Sequence, residues 1–213
     1  MEAAKKLVSS HESFLLVSHE FTDGDDLGAI LALGLVLDKM GMRKVLVAKG
    51  GVPHNLLFLP GQHEVEDGLS SDFEKNEVLI TLGCGDLSRT GFPELLKWQK
   101  PIFNIDHHQD TKMFGTVNVW DSTAAANCEL VYAMFENWNV QIDKYIAQNL
   151  LTGIFTDTGG FRHANVSAQT FEIAAELLRA GAKLDVISRF TFSHKELPML
   201  RAWSVALEHA KFD

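Results

Sequence analysis

Four short apolar runs limit what this chain can fold into: FLLVSH (14–19), KVLVAK (44–49), EVLITL (77–82) and PIFNID (101–106). Each has the length of a buried strand and carries β-branched or aromatic residues, and FLLVSH ends in polar side chains. The stretch DDLGAILALGLVLDKMG (25–41) between the first two reads as a helix, with acidic residues in its first turn and Gly41 as terminator. PHNLLFLPG reads as a short helix or turn, PELLKWQ as a helix, and residues 3–10 as a short helix. Strands that alternate with helices favour a parallel sheet whose crossovers cover both faces. The expected class is therefore α/β: a doubly wound, mainly parallel sheet flanked by helices. After VNVWD (117–121) the pattern turns helical, over 124–138, 142–155, 167–180, 183–191 and 194–211, so the carboxyl-terminal part is expected to be helical. Residues 1–190 are expected to form one domain, and residues 191–213 a terminal helix.

Composition removes several classes of function. A formal net charge of −9 leaves no basic footprint for duplex nucleic acid, so a polyanionic substrate has to be small and held by local groups. Cys84 and Cys128 form no C-x-x-C pair, which argues against a disulfide framework or structural zinc and for a reducing cytoplasm. The longest apolar run, Leu27 to Leu37, is too short to span a bilayer and starts beside Asp23, Asp25 and Asp26. MEAAKKLVSS has no signal-type core after it. A cytoplasmic protein without a membrane partner is expected.

The chemistry gathers where the expected strands end, the edge at which ligands bind in open α/β sheets. VSHEFTDGDD places His19, Asp23, Asp25 and Asp26 just after the first run, a pattern that suits a divalent cation. It also suits a helix cap and an Asp-Gly turn, and both uses stay open. NIDHH adds His107 and His108 after the fourth run, with Asp106 placed to hold an imidazole in one tautomer. GIFTDTGGFRH contributes Asp157 and Arg162, and Arg89 follows the GDLS turn. Either arginine could meet a phosphate or form a surface ion pair.

Four segments, SHEFTDGDDLGA, GDLSRTGF, IDHHQD and TGIFTDTGGFRHAN, resemble in order and spacing the motifs of the DHH phosphoesterases, in the branch of RecJ-like proteins and oligoribonuclease/pAp phosphatases. The likeness runs from about Phe14 to about Ile187. It implies a hydrolase that uses two manganese or magnesium ions on small phosphorylated nucleotides or short single-stranded oligonucleotides. Carried over residue by residue, His19 and Asp23 serve one ion, and Asp25, His107 and Asp157 the other. His108 sits near the scissile phosphate, Arg162 neutralises a phosphate oxygen, and Arg89 is a second phosphate partner.

The resemblance also has gaps. The family carries a metal-bridging aspartate where LGCGDLSRTGF has Gly83. Its loss is expected to weaken metal binding and Gly83→Asp to restore it; the alternative is an impaired module that keeps only metal or nucleotide binding or an assembly role. Asp26 stands where a small residue is usual and is expected to face solvent in the helix's first turn. Nothing like the family's GGGH motif follows Ile187. The implied form is an isolated catalytic domain, or a homodimer in which Leu200, Trp203 and Leu207 pack on a second copy.

Overall fold

A computed structural model describes residues 1–193 and 197–210. The elements, in chain order, begin with α1 (Glu2–Ser9), β1 (Ser13–Ser18), α2 (Gly24–Lys39), β2 (Arg43–Val47) and β3 (Val65–Glu66). They continue with β4 (Val78–Leu82), β5 (Ile102–Asp106), β6 (Val117–Trp120), α3 (Asn127–Trp138) and α4 (Lys144–Asp157). The last three are α5 (Ala168–Arg179), α6 (Leu184–Ser188) and α7 (Leu197–Glu208).

The six strands form one all-parallel sheet in the order β3-β2-β1-β4-β5-β6, the α/β arrangement expected from the sequence. β1 is buried along its whole length because both of its faces are covered. Phe14 and Leu16 point to one side, where Ile80, Phe103 and the buried faces of α1, α2, α3 and α4 complete the main core. Leu15 and Val17 point to the other and meet Val47, Leu79 and Leu95. That second face is covered mostly by single 3-10 turns, at Phe73–Lys75, Leu87–Thr90 and Pro93–Lys97. PELLKWQ is thus a 3-10 turn rather than an α-helix, confined between Gly91 and Pro101. The edge strand β3 was not expected: only Val65 and Glu66 pair with β2, too few for an alternating pattern. The helix expected over 183–191 splits into α6 and a π-helical turn at Arg189–Ser193. α7 falls within the stretch expected to be helical, of which residues 194–196 and 211–213 lie outside the described ones, and it exposes Leu200, Trp203 and Leu207. No helix among the described residues is long and apolar enough to cross a membrane.

Two features of this fold build the site. β1 and β4 are neighbours whose connections depart in opposite directions, so a crevice opens at their carboxyl ends. Glycines also bring α2 hard against α4. A methyl at Gly28 would lie 2.5 Å from the backbone carbonyl oxygen of Asn149, and one at Gly153 would meet the sulfur of Cys128 and lie 2.8 Å from Asp25 Oδ1. The two helices therefore touch backbone to backbone, and Asp25 of α2 meets Asp157 one turn beyond Gly153.

Candidate metal centre

After β1 the chain turns through a loop held by Ser18 Oγ to Thr22 Oγ1 at 2.6 Å and by Thr22 Oγ1 donating to the carbonyl of His19. The backbone N–H of Phe21 donates to His19 Nδ1, which turns Nε2 toward α2. Asp23 caps α2: its Oδ1 accepts the N–H groups of Asp25 and Asp26 at 2.9 and 3.0 Å. The cap and the cation site that the sequence left as alternatives are compatible, since one carboxylate oxygen caps and the other is left over.

Asp25 points the opposite way, into α3. That helix has no side-chain cap of its own, and Asp25 supplies one, its Oδ2 accepting the Asn127 N–H at 2.6 Å and its Oδ1 the Cys128 N–H at 2.9 Å. The Asn127 side chain then donates to Asp26 Oδ1 at 2.9 Å, so one residue of α3 fixes two successive carboxylates of α2. Asp26 is 2% exposed, which corrects the expectation that it faces solvent. It sits there because position 83, at the end of β4, carries no side chain.

β5 ends in the fully buried Asp106. Its Oδ1 accepts from the backbone and Nδ1 of His108, the latter at 2.7 Å, and its Oδ2 accepts from Gly85 N–H and Thr111 Oγ1. His108 is thereby held with Nε2 turned away from Asp106. His107 Nδ1 lies 3.1 Å from the carbonyl of Ala124, an acceptor only, so Nδ1 carries the ring proton and Nε2 keeps its lone pair, 3.5 Å from Asp157 Oδ2.

Two groups of prospective ligands emerge among the described residues, His19 with Asp23 and Asp26, and Asp25 with His107 and Asp157; within each, ligand atoms lie within 4.8 Å of one another. The five residues named from the sequence as candidate metal ligands fall into these two groups, His19 and Asp23 in one with Asp26 added, and Asp25, His107 and Asp157 in the other. Arg89 lies on the 3-10 turn beside Gly85, where a Cβ would be 3.4 Å from its guanidinium. Arg162 sits on the turn after α4, with Nε donating to the Gly159 carbonyl at 2.6 Å. Asp86, next to this loop, caps the same 3-10 turn and pairs with Lys112 at 2.5 Å. Asn127 and Thr111 were not foreseen: Asn127 acts on Asp26, 101 positions away, whereas Thr111 lies only five residues beyond the Asp106 it bonds, within the same loop as His107 and His108.

Crowded carboxylates in a buried site resist ionisation without a counter-charge. Burial, with Asp157 and Asp23 nearby, pushes Asp25 from 3.8 up to about 7. Burial likewise raises Asp26 and Asp157. Asp106 is the exception, since its hydrogen bonds from His108 and Thr111 outweigh burial and hold it at about 2. The same bond raises His108, whereas burial lowers His19. The donor set fits a divalent cation on two counts. Mixed imidazole and carboxylate ligation suits manganese, and Asp26 Oδ2 is a buried oxygen with no hydrogen-bond partner.

Comparison with known proteins gives the chain's relatives and its family. A Thermus thermophilus protein named bifunctional oligoribonuclease and PAP phosphatase NrnA is 35% identical over 170 residues, covering 79% of this chain and 50% of the relative. A Bacillus subtilis protein of the same name is 24% identical over 184 residues, covering 82% of this chain and 55% of the relative. The chain thus spans about half the length of the curated relatives it matches. Among solved structures, an exopolyphosphatase-related protein from Bacteroides fragilis has the same fold, with a TM-score of 0.91 at 24% identity over 100% of this chain and 65% of that one. Residues 13–154 match the family described as DHH family, N-terminal domain, and the chain belongs to that family.

Proposed function

We propose that this chain is a metal-dependent phosphoesterase acting on phosphodiester or phosphomonoester bonds of small nucleotides or short single-stranded oligonucleotides in the cytoplasm. The observation that carries the reading is the pair of adjoining imidazole and carboxylate groups in the β1/β4 crevice. The relatives named as oligoribonuclease and PAP phosphatase support the substrate class. The acidic net charge supports small substrates, since attraction has to come from within the crevice.

In this reading His19 and Asp23 hold one manganese or magnesium ion, and Asp25, His107 and Asp157 the other. Divalent ions bound there supply Lewis acidity toward phosphoryl oxygens and a lowered pKa for water. His108 carries a proton on Nε2, favoured by Asp106 behind it, and gives that proton to the leaving oxygen as the P–O bond breaks. Asp106 is a positioning residue that fixes the ring and its charge state. Arg89 and Arg162 balance charge on non-bridging or terminal phosphate oxygens.

The test is release of phosphate or mononucleotides from adenosine 3′,5′-bisphosphate and from two- to five-nucleotide RNA by the purified chain, with and without Mn2+. Manganese-dependent turnover of either substrate is expected. Stoichiometric manganese binding with no turnover of either would refute the catalytic reading and leave a binding module.

A further inference from the structure

Gly83, just beyond the end of β4, offers no side chain to the crevice. Gly83 has φ +62°, and its backbone N–H is held by the carbonyl of Ile105. The space beside it is filled. A Cβ built on Gly83 would collide with Asp26 Oδ1 and would lie 2.7 Å from both Asp26 Cγ and Oδ2. The carboxylate of α2 therefore occupies the volume that a side chain at position 83 would take.

Asp26 is an odd residue to bury for structure alone. Its Oδ1 is engaged by Asn127, but Oδ2 has no hydrogen-bond partner. His19 Nε2 is 3.0 Å from it without the alignment of a hydrogen bond. Adjacent ligands of one octahedral ion with bonds of about 2.1 Å stand about 3 Å apart. The pair thus has the spacing of two ligand atoms of one cation, with the oxygen of Asp23 within 4.8 Å of both; because Nδ1 accepts from Phe21 in the metal-free chain, the His19 proton sits on Nε2 and has to move to Nδ1 when an ion binds.

We propose that Asp26 is the third protein ligand of the ion held by His19 and Asp23, and that it takes the place of a carboxylate at position 83. This rests on the reading of the crevice as a metal centre. Gly83 is then a space-maker for a ligand delivered from α2 rather than a defect. The expectation that Gly83→Asp raises manganese affinity is reversed: the new side chain meets Asp26 and has to adopt a left-handed backbone.

The test is titration of the purified chain with Mn2+ alone, followed by calorimetry and by the electron paramagnetic resonance of free Mn2+, for wild type, Asp26→Asn, Asp26→Ala, Gly83→Asp and Asp26→Ala/Gly83→Asp. Both Asp26 variants are expected to lose one of the ions that wild type binds, or to bind it at least about tenfold more weakly. Gly83→Asp alone is expected to bind no better than wild type, and the double variant to regain what Asp26→Ala loses. Asp26→Asn retains an acceptor for Asn127, so it keeps the fold if Asp26→Ala does not. Its metal-free melting temperature is expected at or above that of wild type, whereas a purely structural Asp26 would lower it. Asp26→Asn with wild-type manganese binding, or Gly83→Asp with tighter binding, overturns the proposal and leaves the phosphoesterase reading standing. Wild type that takes up no manganese overturns both.

Discussion

Gly28→Ala is expected to damage the site from a distance, and the structure gives the scale. The added methyl would sit 2.5 Å from the Asn149 carbonyl oxygen, against about 3.3 Å for an ordinary carbon–oxygen contact, so α2 and α4 have to part locally by roughly 0.8 Å. The obstacle is backbone and cannot rotate away, which places the overpacking cost near the upper end of its usual range, about 3 kcal/mol. Alanine's better helix propensity offsets about 1 kcal/mol. The net loss of about 2 kcal/mol corresponds to a fall in melting temperature of roughly 4–8 °C for a domain of this size. Asp25 lies one turn away on the same face of α2, and its partner Asp157 is on α4, so the shift opens their shared ligand group. Manganese affinity is expected to fall about tenfold or more, since misplacement on this scale is costly at a preorganised site. Gly34→Ala is the control: on the same helix, its methyl meets only the side-chain ends of Leu46 and Lys44 at 3.1 Å, which can give way. Melting followed by circular dichroism and manganese titration by calorimetry measure both effects. Gly28→Ala that matches Gly34→Ala in both would refute the claim that contact between α2 and α4 sets the site's geometry.

Other outcomes follow from the same geometry. His108→Ala is expected to lower turnover about 100-fold or more while leaving manganese stoichiometry unchanged; an equal loss of bound metal would place His108 among the ligands. Asp106→Asn removes the carboxylate that raises His108, so the pH at which activity falls as the general acid deprotonates is expected to move downward, read from kcat against pH. In metal-free protein, Asp25 titrates near pH 7 when folded and near 3.8 when unfolded, so its contribution to stability is full below about pH 4 and lost as pH rises through about 7. Asp26 and Asp157 act in the same direction and His19 against it. Urea midpoints in chelator are expected to fall between pH 4 and 8, and Mn2+ to remove the slope; a midpoint that rises over this interval rejects the assignment.

What the sequence revealed and what it hid divide along the range of the interactions. The strands at Phe14, Lys44, Val78 and Ile102 were legible because strands covered on both faces need unbroken apolar runs. β3 was not, because a two-residue edge strand is held by backbone pairing alone. His19, Asp23, Asp25, His107 and Asp157 could be named because each closes a loop or element at one rim of the sheet. Asp26 was misread for a definite reason: in the first turn of a helix, dipole and solvent together explain an aspartate, and nothing within one turn suggests otherwise. Its burial depends on a missing side chain at residue 83 and on Asn127, 101 positions along the chain. Gly83, taken alone, reads only as an absent carboxylate, and that Asp26 fills the space beside it is not visible from its own position. In space the two residues share one volume, so each restricts the other: a carboxylate on α2 requires glycine on β4, and a side chain on β4 requires a small residue on α2. Coupling of this kind leaves no trace in local pattern, and it appears only when two segments far apart in sequence are seen to compete for the same few cubic ångströms.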